Sequence, residues 1–200
     1  MPERLVVATR NQGKLREIAE LLKGLAVEVV SLADFPDAPE VEEPHDTFCA
    51  NACEKALAIA AATGHWAVAD DSGLEVDALD GEPGVKSARV AETDPERIAW
   101  LLQRLSGIAP EDRRARFVCC IALASPEGIL GTWQETVEGL ISDAPEGDNG
   151  FGFDPVFIYP PAGRTFARLS REEKSAVSHR GKALRAFRQD FEAVLAERGR

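Results

Sequence analysis

Apolar positions along the chain fall in short runs whose spacing switches between two periods. Leu5-Val6-Val7-Ala8 and Val27-Glu28-Val29-Val30 predict two strands; the first is continuously apolar, as in a sheet covered on both faces. Between them Leu15, Ile18, Ala19, Leu21 and Leu22 recur at helical spacing. A second helix is predicted after Thr47 as its N-cap, running through Asn51, Lys55, Leu57 and Ile59 to about Ala62, with Gly64 closing it. Trp66-Ala67-Val68-Ala69 reads as a buried strand, and 74–79 alternates as a half-exposed one. Asp94-Pro95 predicts a helix start, cap followed by proline, with Ile98, Leu101, Leu102 and Leu105 as its stripe. Residues 116–124 and 129–140 predict an antiparallel hairpin turning at Ser125-Pro126-Glu127-Gly128, and Val156-Phe157-Ile158 a last short strand. Ser170-Arg171-Glu172-Glu173 fits a capping box, and Ser178 can cap a further helix carrying Leu184, Phe187, Phe191 and Leu195. Strands alternating with helices predict an α/β fold.

Composition narrows the function. At 200 residues the chain suits one domain, or one domain with two lobes. A net charge of −11 removes the global positive field that a nucleic-acid or membrane-surface binder needs. A phosphate ligand would therefore need a local basic cluster and a metal. Cys49, Cys53, Cys119 and Cys120 form no CxxC pair, so all four read as small apolar residues in a reducing compartment. No apolar run approaches the roughly 20 residues of a membrane span, and the chain enters its first strand without a targeting segment. The expected compartment is the cytoplasm.

The candidate chemistry centres on Asp70-Asp71-Ser72-Gly73-Leu74. A strand ending in two carboxylates presents them at its tip, where open α/β sheets bind ligands. Adjacent ionised aspartates repel, so a cation is expected beside them. Mg²⁺ fits, because it is often held by one or two carboxylates plus substrate phosphates. The same residues also suit a plain polar turn. After the first strand, Thr9-Arg10-Asn11-Gln12-Gly13-Lys14 leads into a helix, an order that aims backbone N–H groups at an anion. Lys14 suits a phosphate better than it suits the helix dipole. The acidic loop 34–46 offers Glu42 or Glu43 as a second metal ligand. Gly150-Phe151-Gly152-Phe153-Asp154-Pro155 suits a flat ligand that stacks and hydrogen-bonds, or a loop pinned to the core by its phenylalanines. Lys174, His179 and Arg180 gather at a break between two helices, a better anion site than any lone cation.

Six segments then align in order: 8–14; Thr47-Phe48 with Asn51-Ala52 and Lys55-Ala56; 69–74; Pro83-Gly84 with Ser87-Ala88-Arg89; 150–155; and 173–180. Together they resemble the inosine triphosphate pyrophosphatase family over nearly the whole chain. The sequence departs from the family pattern at Pro44-His45-Asp46, Ala50, Lys86 and Val90.

The resemblance implies an α/β fold with a long mixed central sheet and flanking helices, two lobes with a nucleotide cleft between them, and one catalytic domain over residues 1–200. It also implies a homodimer and Mg²⁺ dependence. Thr9, Asn11 and Lys14, with Arg10, Gln12 and Gly13 of the same loop, would hold the triphosphate. Asp71 would be general base and metal ligand, Glu42 the other metal-associated acid with Glu43 beside it, and Ser72 a substrate contact. Phe151, Gly152, Phe153, Asp154, Lys174, His179 and Arg180 would form the nucleobase and phosphate pocket. The implied activity converts ITP, dITP and XTP to monophosphate and pyrophosphate, keeping them out of DNA and RNA. A non-hydrolysing nucleotide-binding regulator would lack one of these acids or lysines, and none is missing. A related pyrophosphatase acting on modified pyrimidine triphosphates is the other alternative.

Overall fold

The computed structural model describes residues 3–198. Seven strands are hydrogen-bonded in the order β2-β1-β3-β4-β5-β6-β7. They are β1 (Glu3–Val7), β2 (Val27–Ser31), β3 (Trp66–Val76), β4 (Arg114–Ser125), β5 (Gly128–Ile141), β6 (Phe157–Tyr159) and β7 (Arg164–Thr165). β1 pairs parallel with β2 and β3, whereas β6 pairs antiparallel with β5 and β7, so the sheet is mixed as expected. The helices are α1 (Gln12–Leu21), α2 (Phe48–Thr63), α3 (Asp94–Arg104), α4 (Arg171–Val177) and α5 (His179–Arg198).

The chain divides into two compact units, one of Met1–Asp71, Cys120–Gln134 and Ala183–Arg200, the other of Ser72–Cys119 and Glu135–Lys182. In the first, Leu5, Val6, Val7, Ile59, Trp66 and Val68 are buried with Phe187 and Phe191. Its helix α2 forms where the sequence says it should. The Thr47 side chain accepts the Ala50 N–H, and Gly64 stops the helix at φ +69°. Such a cap contributes about 1 kcal/mol. The second unit has its own core, which includes Leu74, Ile98, Leu101, Phe117, Phe153, Phe157 and Phe166.

Three local expectations are corrected. First, β3 does not end at the aspartates; it runs through Asp70-Asp71-Ser72-Gly73 to Val76, which also excludes the plain turn, and 77–79 form a 3-10 turn. Its register with β1 covers only Trp66, Ala67 and Val68, so the acids lie in the stretch that outruns β1. The long neighbour β4 keeps that stretch extended. Second, Thr93 rather than Asp94 caps α3, in a capping box with Glu96. A hydroxyl one residue earlier reaches the N3 N–H, which moves Asp94 to the first helical position. Third, Cys49 and Cys120 form a disulfide, leaving Cys53 and Cys119 as thiols. The first turn of α2 approaches β4 with the two Cα atoms 5.1 Å apart, a spacing that no linear pattern reveals. The two-residue β7 is an addition to the sequence reading. Among the described residues, no helix is long and apolar enough to cross a membrane.

Candidate active site

In an extended strand successive side chains point to opposite faces, and this separates the two aspartates. Asp70 pairs with Lys14, Nζ to Oδ2 2.8 Å, the carboxylate being almost wholly buried. Asp71 turns to α2, where the Asn51 Nδ2 donates to its Oδ2 at 3.1 Å. Asn51 is completely buried. It also takes the His45 N–H on its Oδ1 at 2.9 Å and donates to the His45 carbonyl at 3.2 Å. One α2 amide thus joins the acidic loop to Asp71. Because Asn51 grips main-chain atoms of His45, the departure from the family pattern at 44–46 leaves the loop anchored. One turn further along α2, Lys55 pairs with Glu43 and donates to the Asp70 carbonyl at 3.4 Å. Glu43 is therefore the loop acid that the fold brings into this cluster; Glu42 is exposed.

Electrostatics single out Asp71. Its carboxyl is pushed up from an ordinary 3.8 to about 6, first by burial and then by the Glu43 charge, against the Asn51 hydrogen bond and the Lys55 and Lys14 charges. A carboxylate kept from ionising by burial and a like charge would be relieved by a cation. Among the described residues no three His, Cys, Asp or Glu side chains gather as a ready-made metal cage. The donor set still fits Mg²⁺, which keeps waters and needs only one or two carboxylates when phosphates complete its shell.

That shift carries a stability consequence. The native Asp71 carboxyl holds its proton more tightly than the unfolded one, so the native state binds the extra proton between about pH 3.8 and about 6. The stabilisation is present below the lower value and is lost as pH rises through the upper. The upward shift amounts to about 3 kcal/mol. Metal-free Asp71→Asn is therefore expected to gain stability on the wild type as pH rises from 4 to 7. Denaturant titrations across that range check it, and parallel curves would contradict the assignment.

The loop before α1 behaves differently from its expectation. Asn11 is the N-cap, and its side-chain oxygen accepts the Gly13 and Lys14 N–H groups at 2.8 and 3.2 Å. The Thr9 Oγ1 accepts the Asn11 N–H. Two backbone donors that the sequence assigned to an anion are thus taken, and the loop offers the Lys14 ammonium instead. Arg10 is exposed, and the Gln12 side chain lies outside the described residues.

The second unit assembles the other predicted group. The Arg180 Nη2 donates to the Ser72 Oγ at 2.9 Å, and its guanidinium carbon lies 5.3 Å from the Phe151 ring centre. Lys174 pairs with the buried Asp154 and stands 4.9 Å from the same ring centre. Asp154 also accepts the Phe151 N–H at 2.8 Å. The two phenylalanines divide the alternatives left by the sequence: Phe151 is 47% exposed and Phe153 is buried in the core. His179 is buried with its ring stacked on Phe117 at 4.7 Å. Two glycines are obligatory here. A Cβ on Gly150, at φ +80°, would sit 2.0 Å from the Asp154 Oδ2, and one on Gly181 would sit 1.9 Å from the Ser175 carbonyl.

Asn51 and Lys55 are the functional residues that sequence reasoning missed; Asp70 was visible in it as the neighbour of Asp71. Asn51 and Lys55 sit four apart, on one face of a helix that is otherwise rich in alanine. That was the available signal.

A family model described as the Ham1 family matches residues 5–190. A protein of Exiguobacterium sp. named dITP/XTP pyrophosphatase is 52% identical over 191 residues, covering 94% of this chain and 96% of its own. A Ham1 protein structure from Staphylococcus aureus superposes with a TM-score of 0.88 at 39% identity, covering 96% of this chain and 99% of that one. A HAM1 protein structure from Coxiella burnetii gives 0.87 at 41% identity, covering 98% and 99%. With a match of that extent, the chain belongs to the Ham1 family.

Proposed function

We propose that this protein hydrolyses non-canonical purine nucleoside triphosphates, ITP, dITP and XTP, to monophosphate and pyrophosphate. The observation that carries the reading is Asp71: a buried carboxyl held by Asn51, in a cluster with two lysines and a second acid. Relatives named dITP/XTP pyrophosphatase at about half identity support the substrate class. In this reading both units form one catalytic domain over residues 1–200. It acts as a cytoplasmic homodimer, where the nucleotide pool lies.

Asp71 takes a proton from a water that attacks the α-phosphorus. The bond from that phosphorus to the bridging oxygen breaks, and pyrophosphate leaves with the electron pair. A cation beside Asp71 would keep the carboxylate ionised at neutral pH, free to accept the proton. Asp71 and a loop acid, with Glu43 better placed by its charge on Asp71 than Glu42, would hold Mg²⁺, which when bound neutralises charge on the phosphate oxygens. Lys14 serves as a point charge on the triphosphate, with Thr9 and Asn11 shaping its loop. Phe151 stacks on the base, Phe153 anchors the loop, and Arg180 donates to a 6-keto oxygen. A 6-amino group would meet a donor with a donor, so adenine is rejected.

The point of attack is tested by turnover of ITP in water enriched in heavy oxygen. Label in the monophosphate supports the reading; label in pyrophosphate, or release of diphosphate nucleoside, overturns it. Lys14 supplies a second check. Lys14→Ala should lower kcat/KM by a similar factor, about tenfold or more, for every accepted nucleotide. A loss confined to one base would remove Lys14 from the triphosphate.

A further inference from the structure

Because Thr93 caps α3, the Asp94 carboxylate is spared that task. Its two oxygens are spent separately. Oδ1 pairs with Arg97 at 2.6 Å, and Oδ2 accepts the Gly152 N–H at 2.7 Å across 58 residues of sequence. Gly152 is the centre of the loop whose neighbours are Phe151 and, two residues on, Asp154. That loop has few backbone bonds, among them Asn149 N–H to the Ala167 carbonyl and Asp154 N–H to the Phe151 carbonyl, and side chains add to them. From within, Asp154 accepts the Phe151 N–H and pairs with Lys174. From α3, Asp94 fixes the residue between. A charge-assisted bond of this length is about twice as strong as a neutral one.

We propose that Asp94 is a positioning residue for nucleobase recognition, holding through the Gly152 N–H the loop that sets Phe151 against Lys174 and Arg180. The inference rests on the base-reading role given to that loop under the proposed function. It follows from two facts of geometry. Phe151 is the exposed ring of the loop and lies near both cations, and its peptide link to Gly152 is pinned at a single atom by α3. Releasing Gly152 removes the hold of α3 on the ring, and the cost falls on binding the base rather than on the bond broken at phosphorus.

The test uses Asp94→Ala and Asp94→Asn, the latter keeping an oxygen that can accept the Gly152 N–H. Calorimetry measures binding of inosine monophosphate and, separately, of inorganic pyrophosphate. Asp94→Ala is expected to weaken inosine monophosphate about tenfold and leave pyrophosphate affinity unchanged, with Asp94→Asn recovering most of the loss. In turnover the KM for ITP should rise by a similar factor while kcat stays within about twofold. If Asp94→Ala does not fold, Asp94→Ser, too short to reach Gly152 but still suited to a first helical turn, carries the same expectation. Equal weakening of both ligands, or no recovery by Asp94→Asn, would reduce Asp94 to an element of α3 stability and overturn the inference. Wild-type protein that binds no inosine monophosphate would overturn the underlying reading instead.

Discussion

Asp71→Asn protein is expected to fold normally and to lose about 10²- to 10⁴-fold in kcat, the usual worth of a positioned general base. The amide keeps the shape of the side chain and can still meet Asn51 after a flip, but it accepts no proton from water and binds a divalent cation poorly. Burial and the Glu43 charge already oppose ionisation of Asp71, so removing the charge should not destabilise the metal-free fold. Such trade-offs are common where activity requires a costly buried group. Pyrophosphate release and a thermal melt on the same sample check both halves. Near-normal turnover would move the base elsewhere. Asp70→Asn should cost less, because Asp70 is committed to Lys14 on the opposite face of the strand.

Arg180→Ala carries the other large effect, on selectivity. A guanidinium stays charged and presents several fixed donors and no acceptor, which suits a keto oxygen and opposes an amine. Arg180 is buried and held by Ser72, the residue after Asp71, and it lies under the Phe151 ring. A hydrogen bond lost to a partly buried acceptor is worth roughly 1–3 kcal/mol, so the ITP-to-ATP ratio of kcat/KM should fall about 5- to 150-fold. The ratio is the readout, because general damage to the fold lowers both substrates alike. An unchanged ratio would reduce Arg180 to a phosphate contact.

What the sequence made legible was local. The cap at Thr47, the stop at Gly64 and the capping box from Ser170 to Glu173 depend on neighbours within a turn, and all three form as expected. The acids at 70–71 were also visible as chemistry, because carboxylates after an apolar run demand a partner. Their setting was not. Whether β3 continues through them depends on β4, some forty residues later, and polar turn residues give no sign of it. The Cys49–Cys120 bond fails for the same reason, since it joins a helix to a strand 71 residues on. Asn51 and Lys55 looked like ordinary polar positions on a helix. Only the packing of α2 beside β3 turns one into the partner of Asp71 and the other into the partner of Glu43. Phe151 and Phe153 have identical side chains two residues apart. The turn between them decides that one is core and the other open to a ligand.

On this reading the protein releases pyrophosphate from non-canonical purine triphosphates and rejects a 6-amino base. Pyrophosphate release from ITP, dITP, XTP, GTP and ATP, and from modified pyrimidine triphosphates, with and without Mg²⁺, tests it most directly. Rapid Mg²⁺-dependent release from ITP, dITP and XTP, with little from ATP, is the expected result. Equal rates with ATP, or a preference for a pyrimidine, would contradict it.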